Sequence, residues 1–145
     1  ARRVAAAATL DIGFHSGWTE CMNNTEVTMH KPPTGTGFDA LDKAIEGAQI
    51  AVSLALKVPA PLKSVGDQLI RAASSVPANL AEGHGRSGRD RLHHYRIAYA
   101  SAKEVDVHLR ILCLSHRSKR DHATTALQLF DDVCAMTWRL IHPRS

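Results

Sequence analysis

Aromatic side chains make up 5% of this 145-residue chain, and none of its apolar runs approaches the ~20 residues that a membrane-spanning helix needs. No membrane partner is therefore expected. Paired cysteines are missing as well, since the three present are scattered at Cys21, Cys113 and Cys134. If the last two helical segments form an antiparallel hairpin, Cys113 and Cys134 are offset by roughly 13 Å at ~1.5 Å per residue, beyond disulfide reach. They read as reduced thiols in the core of a cytosolic protein. Zinc spacing of the Cys-x-x-Cys kind is absent. So is the tetrad of Glu-x-x-His pairs that a di-iron bundle needs, because Glu104 and His108 are four apart with no matching pair. No metal and no cofactor are expected. Gly83-His-Gly85-Arg-Ser-Gly88 lacks the Gly-Lys-Ser/Thr ending of a P-loop and reads better as an interhelical loop than as a phosphate cradle. No segment alternates like a strand or carries a hairpin dipeptide such as Asn-Gly.

What is present is helical periodicity, beginning late. Residues 1–37 show no regular period, hold Gly13, Gly17, Pro32, Pro33, Gly35 and Gly37, and read as a disordered or extraneous tail. Translation starting at Met22 or Met29 fits that reading. A faint alternative is a signal peptide, with Arg2-Arg3 before the short apolar run Val4–Leu10. Residues 38–145 read as one domain, long enough to bury a core without disulfides.

Thr36-Gly-Phe-Asp39 is a helix start, and Phe38, Leu41, Ile45, Ala48, Val52 and Ala55 form an apolar stripe that Val58-Pro-Ala-Pro61 ends. A second helix opens on Ser64-Val-Gly-Asp67 with Val65, Leu69, Ala72, Val76 and Leu80 on one face. Pro77 should kink it or divide it, and Gly83 and Gly85 should end it. A third helix runs from about Gly88 to Arg117. A fourth runs from about Asp121 to Ile141, with Ala123, Leu127, Phe130, Cys134, Thr137 and Ile141 at helical spacing. The expected fold is all-α, an antiparallel up-down four-helix bundle with a kinked second helix.

The net charge of +4 is concentrated rather than spread. Residues 82–120 hold nine Lys or Arg against four Asp or Glu, with five His, whereas the rest of the chain is close to neutral. A local surplus of this kind suits a polyanionic partner. Within the third helix Arg89, Arg96, Lys103, Arg110 and Arg117 recur every seven residues, a stripe ~42 Å long that could follow nucleic-acid phosphates. The same pattern also suits basic side chains whose stems cover a core edge while their heads stay in water. Leu92, Tyr95, Ala98, Tyr99, Ala102, Val105, Leu109, Leu112 and Cys113 make one apolar face of this helix, and Ile97, Ala100, Val107, Ile111 and Leu114 make a second. A helix apolar on two sides is expected to be buried on both. Either the bundle covers both faces of the helix, or Ile97, Val107, Ile111 and Leu114 meet another copy of the chain.

One run is more specific than the rest. Gln68, Leu69, Arg71, Ala72, Ser75, Pro77, Asn79, Ala81, Glu82 and Gly83 precede a helix with Tyr95, Ala98, Ser101 and Glu104. This pattern resembles the signature of the bacterial four-helix-bundle proteins encoded by intervening sequences in 23S ribosomal RNA genes, and more weakly the likeness runs from about Phe38 to Ile141. A looser resemblance is to the accessory variability-determinant proteins of diversity-generating retroelements. The resemblance implies the bundle fold and homopentameric rings. Through the second family it also implies work beside a reverse transcriptase or other nucleic-acid enzyme.

Arg71, Ser75, Asn79, Glu82, Ser101 and Glu104 read as a structural polar network rather than a catalytic one, with Arg71 or a neighbouring chain's cation expected to partner a buried Glu104. Three functions compete. The first is a non-enzymatic oligomer binding RNA or DNA through the basic side of the third helix. The second is a structural or protein-interaction module. The third and least supported is a hydrolase using His93, His94 and Glu104, for which no nucleophile sits at a diagnostic spacing.

Overall fold

The computed structural model describes residues 35–115 and 120–143. Most of the expected tail, with Cys21, Met22 and Met29, lies outside them. Four α-helices follow in order: α1 (Asp39–Ala55), α2 (Lys63–His84), α3 (Gly88–Ser115) and α4 (Arg120–Ile141), with a single 3₁₀ turn at Ala60–Leu62 ahead of α2. No strand occurs among the described residues, and no helix among them is long and apolar enough to cross a membrane.

Cross-helix pairs give the direction of every neighbour. Phe38 stacks on His84 while Ala55 meets Gly66, so α1 and α2 are antiparallel. Ser75 meets Ser101 and Gly83 meets Tyr95, so α2 and α3 are as well. Tyr99 lies against Trp138, and Lys43 and Gly47 meet Asp132 and Phe130, which closes the ring through α4. The fold is the expected up-down bundle, with α1 diagonal to α3.

The core runs the length of the ring through Leu69, Val76 and Leu80 of α2, Tyr95, Val105 and Leu109 of α3, and Phe130 and Val133 of α4. On α1 the expected stripe is displaced. Ala40, Ala44, Gly47, Ile50, Ala51 and Ala55 are buried, whereas Phe38, Leu41, Ile45, Ala48 and Val52 are only half-buried. Close approach to α4 is the reason: a Cβ on Gly47 would stand 3.1 Å from the Phe130 ring, so the inward positions take small residues.

Two local expectations also change. Helix α2 runs unbroken through Pro77, so the alternative of two short helices does not hold, although the ring still leaves the Ala73 carbonyl without its usual partner. Ser64 is inside the first turn of α2 rather than at its cap, because the 3₁₀ turn leads straight into Lys63. At the start of α1 the Thr36 hydroxyl accepts the Phe38 N–H at 3.2 Å. Asp39 lies in the first turn, and Asp42 reaches back as well, accepting the Thr36 N–H at 2.8 Å.

Candidate nucleic-acid interface

Six signature residues, Ser75, Asn79, Glu82, Gly83, Tyr95 and Ser101, come together between the C-terminal half of α2 and the N-terminal half of α3. Gly83 does not end α2 as expected. It is a buried helical position, and a Cβ there would meet the Tyr95 ring at 2.7 Å. The missing side chain lets the buried Tyr95 ring lie against the α2 backbone, with Phe38 at 6.3 Å between centroids. The reversal that follows needs Gly88, whose φ of +59° favours glycine.

A chain of polar contacts lies beside this aromatic cluster. The Ser75 and Ser101 hydroxyls are 2.9 Å apart across the seam, and Asn79 Nδ2 donates to the Ser75 carbonyl at 2.9 Å and to its hydroxyl at 3.1 Å. His94 Nδ1 is 3.2 Å from Asn79 Oδ1, which can only accept, so this nitrogen carries a hydrogen. The same ring nitrogen is 3.5 Å from Glu82. Arg86 joins the chain at its outer end, reaching both Glu82 and Asp90. Arg86 in turn holds the Asp90 carboxyl below its ordinary range.

The polar network therefore keeps Ser75, Asn79, Glu82 and Ser101 and departs from expectation in its other two members. Arg71 is exposed and outside it. Glu104 is not buried: its side chain is 52% exposed and pairs with His108 at 3.4 Å, because it faces outward rather than toward α2. His94, Arg86 and Asp90 belong to the network and were missed. The signal for them was the i,i+4 spacing of Glu82 to Arg86, Arg86 to Asp90 and Asp90 to His94.

The hydrolase set is not assembled. Glu104 lies ten residues beyond His94 on one helix, about 15 Å along its axis, and its partner there is His108. Among the described residues, no group of three or more His, Cys, Asp or Glu gathers as a metal site, and neither Cys113 nor Cys134 is in a disulfide. Burial pushes the Cys134 thiol up, away from the reactive thiolate.

The basic stripe and the second apolar face, read as separate bands, share one outward line on α3. Arg89, His93, Arg96, Ala100, Lys103, Val107 and Ile111 follow one another at steps of three or four, and all are exposed. The line is basic in its first half and apolar in its second, where Val107 is 53% and Ile111 40% exposed. Among the described residues, the neighbouring helices thus leave this side of α3 uncovered. Ile97 is half-buried toward the side of the helix, and the Leu114 side chain lies outside the described residues.

Among the described residues, Arg89, Arg96 and Lys103 have no carboxylate within ion-pair distance, and Lys103 Nζ stands 5.6 Å from the centre of the Tyr99 ring. Arg110 differs, since Asp106 takes its guanidinium in two bonds of 2.8 and 2.9 Å. Arg117 lies outside the described residues.

Among families of known proteins, residues 38–139 match the model described as 23S rRNA-intervening sequence protein. Among solved structures, the chain is similar to a crystal structure of a protein with unknown function from the S23 ribosomal protein family of Bacteroides thetaiotaomicron VPI-5482. The identity is 21%, the alignment covers 71% of this chain and 98% of that one, and the TM-score is 0.62. At that identity the likeness is one of fold. No curated protein matches the chain.

Proposed function

Starting from the 23S rRNA-intervening sequence protein family, to which this chain belongs, we propose a non-enzymatic, oligomeric bundle that holds the backbone of RNA or DNA on the outward side of α3. The observation that carries this reading is the division of labour among charges. Glu82 and Asp90 are engaged by Arg86 and His94 at the α2–α3 turn, while Arg89, Arg96 and Lys103 present exposed cations with no neighbouring carboxylate among the described residues. Cations held ready in this way suit phosphate contacts, which position a nucleic acid without reading its sequence.

The apolar half of the same line, with Val107 and Ile111 flanked by Ile97 and Leu114, is the proposed contact with further copies. A ring of copies, a pentamer if the resemblance holds, multiplies the basic surface. An accessory role beside a reverse transcriptase or another nucleic-acid enzyme in the cytoplasm fits such a surface. The second reading, a protein-interaction module, draws on Arg110, whose charge is already matched by Asp106.

Binding measured against salt separates the two readings. Each neutralised phosphate contributes about −0.9 to the slope of log K against log salt on duplex DNA, so Arg89, Arg96 and Lys103 give about −2.7 per chain. Addition of Arg110 and Arg117 brings the slope to about −4.5. Arg89→Gln, Arg96→Gln and Lys103→Gln together should flatten the slope while leaving helicity and sedimentation mass unchanged. Loss of assembly in that variant would place the basic residues in the contact between copies. Absence of salt-sensitive binding by the unaltered protein would leave the interaction-module reading.

A further inference from the structure

Trp138 is 51% exposed, although a bundle of this kind has every opportunity to bury an indole. Its neighbours form a row across the α3–α4 seam. The His142 ring lies 3.9 Å away between centroids at an interplanar angle of 31°. The Tyr99 ring lies at 5.7 Å and 49°, and Lys103 Nζ stands beyond it, 5.6 Å from the Tyr99 centroid. Arg96, one turn before Tyr99 on α3, is exposed on the adjoining side. Three flat rings thus lead into two cations.

We propose that this row is a stacking platform for the bases of single-stranded nucleic acid, whose phosphates are taken by Arg96 and Lys103. The proposal rests on the reading of the basic α3 side given above and adds to it the form of nucleic acid that is held. Aromatic side chains beside a cationic track are what a single strand requires, because every base offers a π-face and every linkage a charge. A duplex keeps its bases stacked inside, and a flat seam between two helices has nothing with which to enter a groove.

His142 supports the assignment in a second way. It is a planar nitrogen heterocycle lying tilted against the indole, with its Nδ1 3.1 Å from the Trp138 carbonyl, and it sits just past the end of α4, exposed. Its backbone N–H donates to the Trp138 carbonyl at 2.9 Å. The indole face therefore has room for a stacked ring, and a base can extend the row or take the place of the imidazole. The carboxylates of this seam do not oppose the strand. Asp106 is held by Arg110, and Asp131 lies two turns back along α4, about 10 Å from Trp138.

Trp138 shares its fluorescence only with Trp18, so the Trp18→Phe protein reports on it alone. The test uses short single-stranded RNA and DNA of mixed sequence and a blunt duplex of the same length, at low salt. Single strands should quench the Trp138 emission. Trp138→Ala should weaken their binding about 5- to 150-fold, the equivalent of ~1–3 kcal/mol for one stacked base, and leave duplex binding unchanged. Trp138→Phe should recover most of the loss, which separates a stacking role from a folding defect.

Equal losses on single strand and duplex, emission unmoved by either, or a changed sedimentation mass for Trp138→Ala would overturn the platform. If the unaltered protein binds with salt dependence and both Trp138 variants match it, the platform alone fails. If the unaltered protein binds no nucleic acid, the reading of the α3 side fails and takes the platform with it.

Discussion

The α2–α3 seam closes on hydroxyls, an amide, a histidine and a tyrosine ring seated over a glycine, whereas the α1–α4 seam closes, among the described residues, on small side chains against Phe130 and Leu129 and on the Lys43–Asp132 ion pair. Both are antiparallel helix contacts of the same bundle. Apolar packing alone tolerates a slide of one helix along another better than directional bonds do, so the polar seam is the one that sets register. Six of the fourteen signature residues, Ser75, Asn79, Glu82, Gly83, Tyr95 and Ser101, meet across that seam. Membership of the family thus reports how α2 and α3 are held together, and the binding surface proposed above draws on other residues: Arg89, Arg96, Lys103 and Trp138.

The largest break in the comparison should come from Gly83→Ala. The added methyl meets the buried Tyr95 ring at a separation real Cβ atoms do not show, and Tyr95 has no free space to yield. Overpacking of this kind costs about 1–3 kcal/mol, more than the ~1 kcal/mol that alanine gains over glycine in a helix. Gly85→Ala is the control, with its nearest contact at 3.8 Å and an ordinary right-handed backbone. It should stabilise by about 0.4–1 kcal/mol. Thermal melts followed by circular dichroism compare the two, and equal stability would mean that the ring does not need the close approach.

A smaller effect should separate the two serines of the seam. Ser75→Ala removes a hydroxyl that meets both Ser101 and Asn79, while Ser101→Ala removes one partner only. At about 0.5–1.5 kcal/mol for each hydrogen bond lost, Ser75→Ala should be the more destabilising in urea titration. The pair should also be coupled in a double-mutant cycle. Additive losses would show that the bond across the seam contributes nothing.

The bundle was legible in the sequence because helical spacing, Gly/Pro breaks and a family signature agreed along Phe38–Ile141. The α1 stripe was misplaced because a spacing argument favours the bulkiest apolar residues, whereas Gly47 and Ala51 face inward for their smallness. Glu104 was misread as buried because a residue that interrupts an apolar run looks enclosed when the run is taken as core, and here that run is the open side of α3. The platform was not legible at all. Tyr99 and Trp138 are thirty-nine residues apart, and only the antiparallel pairing of α3 with α4 brings their rings together.

The least change is expected from the ion pair of the apolar seam, and its pH dependence is the way to see it. Lys43 Nζ donates to Asp132 Oδ2 at 2.7 Å, and both side chains are 37% exposed. That bond holds the Asp132 carboxyl below its ordinary value, with burial opposing and Gln128 adding a weaker bond, and it raises Lys43. A depressed carboxyl contributes stability that is complete above the unfolded value of about 3.9 and is lost as pH falls through the folded one. A raised amine contributes stability that is complete below about 10.4 and is lost as pH rises through its folded value. The pair should therefore stabilise on a plateau between about pH 5 and pH 9 and fade on either side. With a third of each side chain in water, screening limits the plateau to about 0.2–1 kcal/mol. Asp90 adds its own acid limb, so the informative curve is the difference between the unaltered protein and Lys43→Met. That difference should shrink toward zero at both extremes and in high salt. A difference that stays flat from neutral pH through the acid limb would show that α1 and α4 are held by Gly47, Phe130 and their neighbours without help from the pair.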